Sequence, residues 1–196
     1  MRRLILVAAC SSVLVALAAA PAAAAPTRDA LIRPGQGIGK VNLGMTLAQV
    51  RSSLGRPDAV ARRLEYAFGG EYVELQWGAA WSVGFRTQAG RLRAVRVATT
   101  KTNQRTRARI GVGSRPRDIV AAYPGATCVF REYRKPFPGM WVVVPHIDGR
   151  MTAFSLDNSS FGPGFPATRR VLQVLVQERW YNRPAEMDCP PDWRRS

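Results

Sequence analysis

His146 is the one histidine of the chain, and Asp148, two residues on, is its nearest carboxylate in sequence. An imidazole held by a carboxylate can serve as a general base, and that is the main acid–base chemistry these residue types offer. The context argues for something plainer. His146 falls at a strand end, in the place where an earlier, related stretch has Trp77, and Asp148-Gly149 reads first as a hairpin turn. There is no second histidine, no HExxH, no GxSxG and no metal-spaced cluster, so zinc and triad hydrolases have no scaffold. Glu71, Glu74 and Glu132 are scattered over strand positions and are expected to pair with the abundant arginines. Gly35-x-Gly37-x-Gly39 follows a proline-containing lead-in rather than a strand and reads as a turn. The Asn158-Ser159-Ser160 sequon would mean little if the source is bacterial. No catalytic residue, metal ligand or cofactor is therefore expected. The alternative is an extracytoplasmic enzyme using His146 with a nearby carboxylate.

The cysteines and the N-terminus point to export. Arg2 and Arg3 precede the apolar run LILVAACSSVLVALAAA and the small residues PAAAAP, the pattern of a secretory signal over residues 1–25, cut near Ala24 or Ala25. Val7-Ala8-Ala9-Cys10 loosely resembles a lipobox, which makes a lipoprotein anchored through Cys10 a minor alternative; the apolar run, however, continues past Cys10. No membrane span is expected in the mature chain, which at roughly 170 residues suits one compact domain. Only Cys128 and Cys189 then remain, an even number in an oxidising compartment, and they are expected to be bridged. Closing a loop of about 60 residues stabilises by roughly 3–4 kcal/mol through chain entropy.

Without Arg2 and Arg3 the chain has 27 basic residues against 13 acidic ones, a net charge near +14, and its only lysines are Lys40, Lys101 and Lys135. Such an excess favours anionic surfaces. In an exported protein these are envelope polymers, lipid headgroups or acidic proteins, not nucleic acid. Oligomeric state is not legible.

The elements that must position these residues occur twice. VNLGMTLAQVRSSLG from Val41 can be laid over IGVGSRPRDIVAAYP from Ile110, an offset of 69 residues, so that Gly44 meets Gly113 and Val50 meets Ile119. Thr46 is a candidate N-cap for a helix through about Leu54, which Gly55 and Pro57 stop; Ser114 and Pro116 open the second helix, and Pro124-Gly125 ends it. Each helix is followed by four candidate strands. These lie near Leu64–Phe68, Tyr72–Trp77, Trp81–Thr87 and Leu92–Thr99, then Cys128–Tyr133, Trp141–His146, Met151–Leu156 and Val171–Arg179. The last needs an offset of 79, because the loop Asp157–Pro166 adds about ten residues. The expected organisation is a polar lead-in at 26–37, one repeat at 38–100, a basic connector open to proteolysis at 101–109, a second repeat at 110–180 and a disulfide-tied tail at 181–196. The fold class is α+β: two tandem repeats, each a short helical segment plus a four-stranded antiparallel meander, with the helices on one face of a shared curved sheet.

The motif spelled by Gly39, Val41, Leu43, Gly44, Met45, Thr46, Val50, Leu54, Gly55 and Pro57 resembles that of the SmpA/OmlA (BamE-like) family of exported bacterial modules. Being duplicated, it is also similar to the β-lactamase inhibitory protein-like tandem repeats. The resemblance implies the fold just described and an open sheet face used to grip a protein. The single bridge and the strongly positive charge depart from the inhibitor pattern, so it does not carry the inhibitory activity across.

Strand alternation assigns the faces. Val73, Leu75, Trp77, Val83 and Phe85, with Val142, Val144 and Phe154, read as the helix-covered side. Tyr72, Glu74, Gln76, Ser82 and Arg86 read as the open side, with Trp141, Val143, Met151, Ala153, Val171, Gln173 and Leu175 from the second repeat. An open face carrying Trp141, Val143 and Leu175 needs a cover, either the 157–166 loop with Phe161 and Phe165, or Trp193 from the tail; otherwise it is a binding patch. Tyr72, Arg86, Arg96, Trp141, Val143, Met151 and Leu175 are the candidate binding residues. The function expected is that of a secreted, non-catalytic binding protein contacting another exported protein or an anionic envelope component.

Overall fold

The computed structural model describes residues 28–65, 70–131, 139–156, 169–178 and 186–194. The leader, Cys10 and the Asp157–Pro166 loop with Phe161 and Phe165 lie outside them. A 3₁₀ turn at Arg28–Ala30 leads into three two-residue strands, β1 (Ile32–Arg33), β2 (Gly37–Ile38) and β3 (Val41–Asn42), and helix α1 (Leu47–Leu54). Strands β4 (Ala59–Glu65), β5 (Gly70–Trp77), β6 (Trp81–Gln88) and β7 (Arg91–Thr99) follow. Then come α2 (Pro116–Ala122), β8 (Thr127–Arg131), β9 (Gly139–Pro145), β10 (Arg150–Leu156), β11 (Val171–Glu178), β12 (Glu186–Met187) and α3 (Pro191–Arg194). The fold is mixed α and β, dominated by one antiparallel sheet of order β12-β8-β9-β10-β11-β7-β6-β5-β4 among the described residues.

Local chemistry accounts for the helices. The Gln49 N–H donates to Thr46 Oγ1 while the Thr46 N–H donates to Gln49 Oε1, a reciprocal capping box worth about 1 kcal/mol. At α2 the cap position is Arg115, one residue later than the Ser114 expected: Asp118 accepts from the Arg115 N–H, and the Ser114 hydroxyl instead accepts from Gly111. Proline at the first helical position needs no hydrogen bond there, which is why the start moves to Pro116. Gly44 and Gly113, at φ +82° and +90°, turn the chain so that each segment entering a helix docks on a sheet strand. Gly44 donates to Ala94 O, and Ala94 donates back to Met45 O. Gly113 donates to Val171 O, and Val171 donates back to Ser114 O. These two-way links bind α1 to β7 and α2 to β11.

The main core lies on the helix side of the sheet. It holds Val50, Leu75, Val83, Phe85, Ile119, Val142, Phe154 and Val174, with Ile32, Ile38 and Val41 from the small sheet. Burying each large side chain contributes about 1.5–3 kcal/mol. Trp77 is satisfied at its rim, where its indole N–H donates to Gly55 O at the end of α1. The Cys128–Cys189 disulfide ties β8 to the segment before α3, and Trp193 of α3 is buried in this helix-side core. Trp193 is thus no lid for the opposite face.

Two expectations about chain organisation change. The first meander strand starts at Ala59, not near Leu64, because Asp58 accepts from Gly78 N–H and donates its own N–H to Gln76 O, pairing the chain from that point. The connector is not a loose tether either. Gln104 and Thr106 are buried; Ile32 donates to Arg105 O, Arg105 donates to Ala30 O, and Thr106 Oγ1 accepts from Ile110. These bonds hold positions 104–106, while Lys101, Arg107 and Arg109 stay exposed.

Candidate functional site

The second sheet face, away from the helices, carries the candidate binding residues singled out from sequence; Val171, assigned to the same side, lies instead in the helix-side core, because the register shifts between Ser155 and Leu156. Val143, Met151 and Leu175 do share the second face, joined by Ala98, Val129 and Ala153. They are buried, at 1%, 4% and 5% exposure, and Trp141 is only half-exposed beside them. Tyr72 is fully buried: its ring lies across Gly84, where a Cβ would sit 1.8 Å from the phenolic oxygen. Arg96 lies opposite Gly84 and Gln177, its Nε buried. Arg86 is half-buried and donates to Glu178 at 3.2 Å, while Gln88 donates to the same carboxylate. Alternation therefore assigned these residues to a common face, but Tyr72, Val143, Met151 and Leu175 offer no exposed surface. Tertiary packing sets burial, and a strand pattern reports only the side.

His146 is half-buried, and its Nε2 lies 3.2 Å from Thr152 Oγ1, which also accepts the Gly35 N–H at 3.0 Å. The hydrogen bonds that the structure records for Asp148 serve its own turn: it accepts from Arg150 N–H and pairs with the Arg150 guanidinium at 3.3 Å. Burial lowers the imidazole pKa from its ordinary value, with the Asp148 charge acting the other way. The ring is bonded to a threonine and packed against the Gly35 backbone, so it pins the β1–β2 turn to β10. Among the described residues no group of three or more His, Cys, Asp or Glu could hold a metal.

A cationic groove lies on the helix side, and no motif in the sequence points to it directly. Two adjoining hollows of about 410 and 580 Å³ share Leu31, Arg33, Gln36 and Arg107; Tyr123 extends one, and Asn42, Leu43 and Arg150 extend the other. Neither has a carboxylate among its lining residues. Arg33 is held in place by donating to Gly39 O and Asn42 Oδ1, both at 2.7 Å. Arg105 beneath donates to Val112 O at 2.6 Å, and burial lowers its pKa; a guanidinium still stays charged at neutral pH. Arg107 is exposed. The basic run 105–109 and the Arg33-Pro34-Gly35 turn are visible in sequence, but they are some seventy residues apart and are brought together by the hydrogen bonds of Arg105 with Ala30 and Ile32.

No known family and no curated protein matches this chain. Among solved structures it is similar to the uncharacterized protein yfeY from Escherichia coli, at 13% identity and a TM-score of 0.45, over 74% of this chain and 97% of that one. A likeness of that degree carries no argument about function. No helix among the described residues is long and apolar enough to cross a membrane.

Proposed function

We propose that this chain is an exported, non-catalytic binding protein that takes an anionic, phosphate-bearing component of the cell envelope in the groove between its small sheet and the 101–109 segment. The observation that carries this reading is the lining: Arg33 and Arg107 with Gln36 and Asn42, no carboxylate among the lining residues, and Arg150, paired with Asp148, at one side. Guanidinium groups fit phosphate oxygens in a bidentate way, and a net charge of +16 over the whole chain draws anions toward the surface. The disulfide fits an oxidising, extracytoplasmic setting. The burial of Val143, Met151 and Leu175 removes the reason to favour the opposite face as a protein-gripping surface.

The tandem BamE-like reading remains part of the proposal. It is supported by element positions: α1, β5 and β6 fall close to 69 residues before α2, β9 and β10, and the Gly44 and Gly113 links are the same in kind. The two four-strand runs meet through β7 and β11 at the centre of the sheet.

The test is binding to vesicles containing phosphatidylglycerol and, separately, to soluble poly(glycerol phosphate), each at low and high salt. Wild type is expected to bind at least one of them, and the double variant Arg107→Glu/Arg150→Glu to lose about tenfold or more, with binding weakened by salt. Vesicle-only binding identifies a headgroup; polymer binding identifies a wall or envelope polymer. Binding that is indifferent to the double reversal, or absent from both, would overturn the proposal.

A further inference from the structure

Glu74 stands apart among the carboxylates of this basic chain. It sits in β5 on the second sheet face at 6% exposure, and among the described residues its side chain makes no hydrogen bond or ion pair. Most of the side chain is buried, yet the carboxylate oxygens keep contact with solvent through an opening beside them. Arg96 is the cation in the same cross-strand row, but Gly84 and a whole strand separate the two, and the Tyr72 ring covers Gly84. Two strand spacings, about 9.5 Å, separate their backbones, and no ion pair joins them. The carboxylate instead lines a hollow of about 160 Å³ with Gln76, Ser82, Thr100 and Gln173, floored by Gly78, Ala79 and Ala80. The side chains of Gln76, Ser82 and Gln173 make no hydrogen bond either. Register explains the gathering: Gln76 lies opposite Ser82, and Gln173 follows on from the Val174–Thr99 pair at the end of β7.

We infer that this hollow is a binding site for a primary alkylammonium group. An ammonium has three N–H donors and no acceptor. At the Glu74 end the hollow offers one carboxylate with the Gln76 carboxamide oxygen and the Ser82 hydroxyl, three acceptors for the three donors and one charge to balance, while Gln173 closes the far end. Its volume is that of about five waters, which accommodates the ammonium and a short methylene stem. A divalent cation demands six or more oxygen ligands with several charges, and a single carboxylate does not meet that. The alkylammonium has two possible sources, a free small amine or a lysine side chain of a partner. The site is separate from the arginine groove and stands or falls independently of it.

The experiment is an NMR titration of the mature, disulfide-intact protein with n-butylammonium, following the amides of Gln76, Ser82 and Gln173. The controls, at matched ionic strength, are n-butanol and tetramethylammonium, which lack the charge and the N–H donors respectively. Saturable shifts with n-butylammonium alone, weakened about tenfold or more in Glu74→Gln, are the expected result. If Glu74→Gln fails to fold, Ser82→Arg supplies a guanidinium in cis and is expected to abolish n-butylammonium binding while keeping the fold. Tighter binding of 1,4-diaminobutane than of Nα-acetyl-lysine amide indicates a free amine, and the reverse a lysine side chain. No saturable shift with n-butylammonium, an equal response to the controls, or undiminished binding in the folded variants would overturn the inference.

Discussion

At the scale of single residues, Tyr72 and Gly84 form one unit. The Gly84 backbone has an ordinary strand conformation, so a side chain there is opposed by the tyrosine ring, not by strain. Gly84→Ala is expected to cost about 1–3 kcal/mol in chemical denaturation, and most of that cost is expected to vanish in a Tyr72→Leu background. His146 gives a pH signature. Burial lowers its folded pKa, so the unfolded chain takes up a proton first as pH falls through about 6.5. Stability is full above that pH and is lost downward until the folded imidazole is protonated too. Thermal melts between pH 7.5 and 5.5 should show this loss in wild type and a flatter profile in His146→Asn; equal slopes would remove His146 as the cause.

At the scale of elements, short helices of eight and seven residues cannot stand alone in water and depend on caps and docking. Thr46→Ala removes the acceptor for the Gln49 N–H and is expected to lower stability by about 1 kcal/mol, measured by urea unfolding at unchanged m-value. Element existence was legible where signals are local. Thr46 with Gln49, Gly55 and Pro57 bracket α1 within a dozen residues, and the Ala89-Gly90 turn separates β6 from β7. Boundaries were less legible. AVARRLE has no alternating apolar pattern, so the start of β4 is decided by hydrogen bonds between Asp58 and the partner strand. The Arg115 cap was also hidden, because proline geometry outweighed the better capping side chain of Ser114.

At the scale of the molecule, the Cys128–Cys189 bridge closes a span of 61 residues across the second half of the sheet. Its reduction is expected to cost about 2–4 kcal/mol and to lower the melting temperature by several degrees. An unchanged melt in the fully reduced protein would show that β12–β8 pairing and the packing of α3 hold the tail without the bridge. The sequence by itself determined the charge, the pairing of two cysteines, the alternation that sorts strand residues between two sides, and the glycine-marked entry to each helix. Each of these depends on residues counted along the chain or placed a few positions apart. Only the tertiary structure decided that Val143, Met151 and Leu175 are buried, that Arg105 ties the 101–109 segment to Ala30 and Ile32, and that Trp193 lies on the helix side. It also decided what the arginine groove and the Glu74 hollow contain. Those sites are built from Arg33, Arg107 and Arg150, and from Glu74, Ser82 and Gln173. Periodicity within one strand tells which side a residue faces, whereas exposure and neighbours depend on which distant strand arrives beside it.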